Sequence, residues 1–294
     1  MNRLDYSEYP IVTRGVKPGE YRGFNYKLGD PRQALATDID YYLSLLRNER
    51  WSSENIVAQL NLSDYQFEKE GSLCQVLTII TENEVMLTQG LSKFINMTSS
   101  YFTETRLALA YILRDDTKHL DCLFARLGKG KKIRKLSNLF QFSLASLLSE
   151  NDFSIFLSAA IILGKIAIRT MCKYIALETT ADPVSPFLAN MLSDEELHVA
   201  YAVAHLRYRL ANDSSFEDVL AKRLDDYELY LIGVSGMDEV YFGAFVDLLG
   251  EKKVRDMVSE ISQLRARMLT EAGLSEKYVR KILDPLSLER RGLC

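Results

Sequence analysis

The chain has 294 residues, of which 47% are apolar and 26% charged, with few glycines and prolines, a composition that supports a sizeable buried core. Its net charge of -4 at pH 7 argues against a nucleic-acid partner, which needs a basic face. The opening Met1-Asn2-Arg3-Leu4-Asp5 lacks the basic and apolar segments of a secretory leader, and no stretch reads as a membrane span, so a cytoplasmic chain without a membrane partner is expected.

Residues 1–30 carry Pro10, Gly15, Pro18, Gly19, Gly23 and Gly29 and are expected to form an irregular arm. Residues 31–48 have Leu35, Ile39, Leu43 and Leu46 at helical spacing. Trp51-Ser52-Ser53-Glu54 restarts the chain with serine caps before a short helix. Residues 71–210 hold four long helical patterns, over about 72–96, 104–127, 152–178 and 187–210. The third is apolar nearly all round and is expected at the centre. Residues 212–294 read as three or four further amphipathic packing helices. Strand signals are nearly absent, so the fold class is all-α, in a single domain spanning 1–294. Cys74, Cys122, Cys172 and Cys294 are far apart with no CxxC, the pattern of reduced thiols.

Two strings share one grammar: Asp115-Asp116-Thr117-Lys118-His119 and Asp194-Glu195-Glu196-Leu197-His198. In each, an acid preceded by another acid is followed three residues later by histidine, and positions i and i+3 share a helical face. The chain has three histidines, and this pattern uses two of them. Each string offers a carboxylate and an imidazole to one point in space, and a duplicated pair of this kind builds two-metal carboxylate sites inside four-helix bundles. On the first helix Glu84 falls in the stripe of Leu73, Leu77, Ile80, Leu87, Leu91 and Phe94, whereas Glu82 points away. A buried carboxylate is costly unless paired or bound to metal. No basic residue lies one turn from Glu84, Asp116 or Glu195 on its own stripe, so metal cations are expected to supply the missing charge. Oxygen-rich ligation with one imidazole per ion suits iron or manganese better than zinc.

Hairpin arithmetic supports the pairing. Glu84 and Asp116 are equidistant from position 100, inside the expected turn Met97-Thr98-Ser99-Ser100-Tyr101. Glu178 and Glu195 are equidistant from the Pro186–Phe187 bond, at the edge of the second turn. As the sole acid in the body of the third helix, Glu178 is the default fourth carboxylate.

The pattern of a carboxylate helix followed by an acid-x-x-His helix, repeated once, resembles the ferritin-like di-iron-carboxylate superfamily. That superfamily includes ribonucleotide reductase small subunits, acyl-carrier-protein desaturases and bacterial multicomponent monooxygenases. The resemblance covers about the central half of the chain and implies a ferritin-like four-helix dimetal core over 71–210, with additional N- and C-terminal helices. It places Glu84, Asp116 and His119 in one half of the metal site and Glu178, Glu195 and His198 in the other. Glu84, Asp116 and Glu195 become the candidate catalytic carboxylates. Asp115 and Asp194 resemble the aspartates that hold the free ring nitrogen of a ligand histidine. His205, two turns beyond His198, is expected beside the site as a hydrogen-bonded core histidine. The pattern departs from the family in Asp116, where a glutamate is usual, and in the 17-residue spacing of Glu178 and Glu195. No acid stands about thirty residues before Glu195. Leu123 occupies the position where a radical-storing subunit would carry tyrosine; Tyr111, Tyr174 and Tyr201 remain as redox-active candidates.

The resemblance implies an O2-activating oxygenase or oxidase with two iron ions (Mn/Fe being an alternative pair) that hydroxylates, N-oxygenates or desaturates an organic substrate. Electrons are expected from a ferredoxin or reductase, because the chain carries no flavin or nicotinamide fingerprint. The substrate would be a small molecule, free or carrier-bound, and the chain alone or as a homodimer. The basic stripe Lys165, Arg169 and Lys173 could receive an acidic partner or pair with acids of the C-terminal helices. The alternatives are a radical-generating subunit resembling that of ribonucleotide reductase, an iron-storage shell, and a metal-free helical interaction protein.

Overall fold

A computed structural model describes residues 29–62, 67–128 and 132–286. The arm over residues 1–28 and the tail thiol Cys294 lie outside the described residues. Every regular element among them is helical, so the chain is all-α.

The helix expected over 31–48 is two pieces, α1 (Pro31–Ala34) and α2 (Ile39–Arg47). Asp38 breaks them apart by taking a left-handed conformation with φ 52°, one that aspartate tolerates better than most residues. The short α3 (Ser53–Leu62) follows.

Two antiparallel hairpins carry the candidate residues. The first pairs α4 (Glu70–Met97) with α5 (Thr103–Arg126). Its turn is centred on position 100, as the arithmetic required. The turn begins where Thr98 Oγ1 donates 2.7 Å back to the Phe94 carbonyl, an alternative to continuing the helix. Between the hairpins lies α6 (Asn138–Leu148), capped by Ser137 accepting from the Phe140 N–H. Sequence periodicity did not single this helix out.

The second hairpin starts with a continuous helical run, Phe153–Glu178, made of α7 (Phe153–Phe156), a π-helical stretch (Leu157–Lys165) and α8 (Ile166–Glu178). Asp152 caps it by accepting from the Ile155 N–H at 3.1 Å. Every residue from 153 to 168 is buried, which is why the run is apolar on all sides. By length and composition this run and Glu228–Leu249 are long enough to cross a membrane, a correction to the expectation that no stretch reaches that length. In the fold, 94% of the apolar window of Phe153–Glu178 is covered by other helices. The partner helix α9 (Val184–Asn212) packs along α8 and the π-helical stretch. It begins before Pro186 rather than after it, because proline in a first turn forfeits only an N–H that has no helical partner.

The hairpins are clamped at one end by Arg126, which donates to Glu70 at the start of α4 and to Asp182 in the α8–α9 turn, both at 2.7 Å. That hydrogen bond to Arg126 outweighs burial and holds the Glu70 carboxyl at about 2. Around the hairpins lie α10 (Phe216–Asp225), α11 (Glu228–Val234), α12 (Glu239–Leu249), α13 (Glu251–Glu271) and α14 (Glu276–Leu283), one more than the largest number expected. Helix α13 packs on α8 and the π-helical stretch. Lys173 pairs with its Glu260 at 2.7 Å, and buried Arg265 donates from Nε to the Leu163 carbonyl at 2.9 Å.

Candidate metal centre

At mid-height of the two hairpins, Glu84 of α4, Asp116 and His119 of α5, and Glu195 and His198 of α9 converge, all fully buried. Glu84, Asp116, His119 and Glu195 each present one donor atom, and these atoms lie within 4.8 Å of one another. This is a buried acidic and histidine cluster able to bind a metal ion.

The histidines are cross-braced. His119 turns Nδ1 inward, 3.2 Å from Glu84 Oε2 and 3.5 Å from Glu195 Oε1. Its Nε2 lies 3.2 Å from Asp194 Oδ2. His198 turns Nδ1 toward Asp116 Oδ1 at 3.6 Å and Glu195 Oε2 at 3.7 Å, with Nε2 3.5 Å from Asp115 Oδ2. Each motif's leading aspartate therefore holds the other motif's histidine. When the ring is neutral, an acid facing Nε2 favours the tautomer that leaves Nδ1 free as a ligand. Burial disfavours the imidazolium of His119, but Asp194 and Glu84 outweigh it and raise the pKa to about 10. His198 is also raised: burial and Lys165 pull it down, and Asp115 and Glu195 more than offset them. Asp115 is held low despite burial, chiefly by His198 and then Lys118, and Arg114 and Lys118 reach its Oδ1 at 2.9 and 3.0 Å.

The fourth position belongs to Lys165. Its Nζ donates to Asp116 Oδ1 at 2.8 Å and to Glu195 Oε1 at 2.7 Å, and lies 3.7 Å from Glu84 Oε1. Burial acts against its charge, but Asp116, Glu195 and Glu84 together raise its pKa well above the ordinary lysine range. Burial raises Asp116, reinforced by Glu84 and Glu195, whereas Lys165 and the histidines overcome burial at Glu195 and hold it low.

Glu178 is not brought to the cluster. It is at the C-terminal end of α8, thirteen residues beyond Lys165 or about 20 Å along the helix, where it accepts from Lys253 of α13 at 2.6 Å. The expected hairpin register is corrected accordingly. The second turn lies between Glu178 and Val184, not at Pro186, so the residue facing Glu195 is Lys165, at the end of the π-helical stretch and thirty positions before Glu195. No acid stands at that position, and the sequence marks Lys165 only as part of a basic stripe. Its signal was available: Lys165 is the lone charge in the most apolar run of the chain. The basic stripe accordingly divides, with Lys165 in the core, Lys173 paired to Glu260, and Arg169 3.7 Å from Glu196. A docking role for the stripe as a whole does not survive the burial of Lys165.

In the sequence Trp51 is only the neighbour of a helix start. Its Nε1–H donates 2.7 Å to Asp194 Oδ2, and its ring lies nearly parallel to His119 at 6.0 Å. Because it contacts the cluster through Asp194, no local pattern in the sequence marks it. Tyr174 bonds Glu260 at the protein's edge and Tyr111 packs under Arg114. Tyr201 is fully buried, which pushes its hydroxyl pKa up.

His205 sits outside the cluster. Its Nδ1–H donates to the carbonyl of Leu35, just past α1, at 2.8 Å, and its Nε2 accepts from Ser154 Oγ at 2.8 Å, so the ring is a neutral tie between the end of α1, α7 and α9. The expectation of a core histidine holds, and that of a place beside the site is corrected. Burial first, with Arg209 adding to it, lowers its pKa from 6.5 to about 4 despite the Leu35 bond. A folded-state pKa below the unfolded one makes the stability contribution full above about pH 6.5, and it is lost as pH falls toward 4. Wild-type stability should therefore decline by up to about 3 kcal/mol over that window from this group alone. Urea unfolding from pH 7 to 4 should give a shallower decline for His205→Gln; parallel profiles would show that His205 does not titrate this way.

No protein-family model matches the chain. No curated protein matches it in sequence either. The chemistry of the cluster therefore rests on its own donors. Glu84 Oε1, Asp116 Oδ2, Glu195 Oε2 and both ring nitrogens of His198 are buried and have no hydrogen-bond partner, Asp115 lying 3.5 Å from His198 Nε2. Buried carboxylate oxygens without a donor are costly. Here they belong to one cluster in which Glu84, Asp116, His119 and Glu195 each bring a donor within 4.8 Å of the others, an arrangement that a divalent ion with oxygen and nitrogen ligands would satisfy.

Proposed function

We propose that this protein is a metal-dependent, O2-using oxidoreductase that oxidises an organic substrate at the buried cluster. The observation that carries it is the set of unpartnered carboxylate oxygens and inward-facing histidine Nδ1 atoms in the fully buried cluster. The resemblance of the duplicated acid-x-x-His grammar to the ferritin-like di-iron-carboxylate superfamily supplies the reaction class. Glu84, Asp116, Glu195, His119 and His198 would hold the metal, iron or manganese by donor type. A bound metal would supply the redox centre for chemistry with O2.

The chain's own residues do the rest. Asp115 and Asp194 fix the rings of His198 and His119, and Lys165 steadies Asp116 and Glu195 while holding a proton at Nζ beside both carboxylates. Burial by α4, α5, α9 and the π-helical stretch excludes bulk water, which strengthens each electrostatic contact. Insertion of one oxygen atom consumes one O2, two electrons and two protons and releases one water. A ferredoxin or separate reductase would supply the electrons.

A second reading, the radical-generating subunit, draws support from Trp51. Its indole is hydrogen-bonded through Asp194 to His119 and is only partly buried, so it could pass an electron between the protein's edge and the cluster. The buried Leu123 beyond His119 weighs against stored tyrosyl radical at that position.

The test is anaerobic Fe(II) loading, desalting and exposure to O2 in an oxygen electrode, with His119→Ala and His198→Ala alongside. Wild type should retain iron and consume O2 faster than free Fe(II) in buffer, and both variants should lose about tenfold or more in iron affinity. Wild-type protein that retains no iron, or that leaves the O2 rate at the buffer value, would overturn the oxidoreductase reading.

A further inference from the structure

We infer that Lys165 is a built-in cation that takes the place of one metal ion, so that the cluster holds one divalent ion where the two-ion pattern would hold two. The inference rests on the metal-site reading above and narrows it. Three observations carry it. First, Lys165 stands thirty residues before Glu195, directly opposite it in the hairpin, where a two-ion site requires its fourth carboxylate. Second, its ammonium engages one oxygen of Asp116 and one of Glu195, at 2.8 and 2.7 Å, and lies 3.7 Å from Glu84. An ion bridging those carboxylates would have to occupy that volume. Third, the buried atoms left without a hydrogen-bond partner are one oxygen from each of the three carboxylates and the ring nitrogens of His198, while Nδ1 of His119 lies against Glu84 Oε2 and against Glu195 Oε1, the oxygen that Lys165 holds. One donor from each of Glu84, Asp116, His119 and Glu195 lies within 4.8 Å of the others, a set that suits one ion and falls short for two.

Charge agrees with geometry. Glu84, Asp116 and Glu195 contribute three negative charges and Lys165 one positive, all at zero exposure. The remaining two negative charges equal one divalent ion when both histidines act as neutral ligands. Two divalent ions would leave the cluster with two positive charges in excess, a costly arrangement in a buried site.

The lysine is placed by its surroundings rather than by chance packing. It closes the π-helical stretch Leu157–Lys165, and π-turns within α-helices recur at functional sites. Arg265 of α13 holds the Leu163 carbonyl two residues before it. Gly164, immediately before it, leaves room for the Tyr230 hydroxyl, which would lie 2.3 Å from an added Cβ.

The experiment measures metal per chain after anaerobic loading with excess Mn(II) and desalting, by elemental analysis, for wild type and Lys165→Glu. About one ion per wild-type chain and about two for Lys165→Glu, which restores a fourth carboxylate, are expected. Two ions on wild type would overturn the inference and leave the oxidoreductase proposal standing. One ion on both proteins would remove Lys165 as the limit. No ion on either would overturn both proposals. Should Lys165→Glu fail to fold, crystals of Mn(II)-loaded wild type decide by anomalous scattering. One peak beside Glu84, with Lys165 Nζ still bonded to Asp116 and Glu195, supports the inference, and a peak that displaces Nζ overturns it.

Discussion

Lys165→Met should destabilise the metal-free protein by about 3–5 kcal/mol, the usual consequence of removing one partner from a buried charge cluster. Methionine matches the length and apolar stem of lysine, so the loss is of the ammonium and its two short bonds to Asp116 and Glu195. Three carboxylates then face one another at zero exposure, with only His119 and His198 to offset them. The measurement is urea unfolding in EDTA and again with saturating Mn(II). The gap between wild type and variant should be large in EDTA and should shrink with Mn(II), because an ion that binds only the folded state stabilises it. Equal stability of the two proteins in EDTA would show that the cluster does not depend on the ammonium.

The second large effect is expected at Gly164→Ala. On an ordinary helix this change gains stability, by roughly 0.5–1 kcal/mol. Here the new Cβ would meet the Tyr230 hydroxyl at 2.3 Å and the Ala159 carbonyl at 3.2 Å. Tyr230 has little freedom to yield, since it is fully buried and its hydroxyl donates to Asn83 Oδ1 at 2.8 Å. Overpacking of this kind costs about 1–3 kcal/mol, and it pushes on the residue next to Lys165. Tyr230→Phe removes the obstructing atom at the price of Asn83's donor. In a double-mutant cycle the pair should therefore be less destabilising than the sum of the single changes by 0.5 kcal/mol or more. Additive costs in denaturant unfolding would mean that the helix accommodates the methyl group elsewhere.

The first half of the cluster was legible because it is local. Glu84, Asp116 and His119 sit in one hairpin whose turn residues fall between strong apolar stripes, and a midpoint at position 100 survives small errors in the helix ends. The i, i+3 pairing of Glu195 with His198 is equally local. The second half failed where the argument depended on a loop position. Moving the turn ahead of Pro186 shifts every facing residue on the third helix, and a π-helical stretch adds a further displacement that a period of 3.6 residues does not anticipate. Glu178, the sole acid in that helix, was therefore assigned to a place that Lys165 occupies.

The all-helical class, the first hairpin and the two acid-acid-x-x-His strings could be read from the chain alone, because helical periodicity and i, i+3 geometry are properties of contiguous residues. Tertiary structure alone decided which side chains neutralise one another. Asp115 holds His198 rather than its own motif's histidine, Asp194 joins His119 to Trp51, and Lys165 answers three carboxylates from three different helices. The physical reason is that burial turns charge into a pairwise requirement satisfied across space. No periodicity within a single helix records which partner on another helix will meet it.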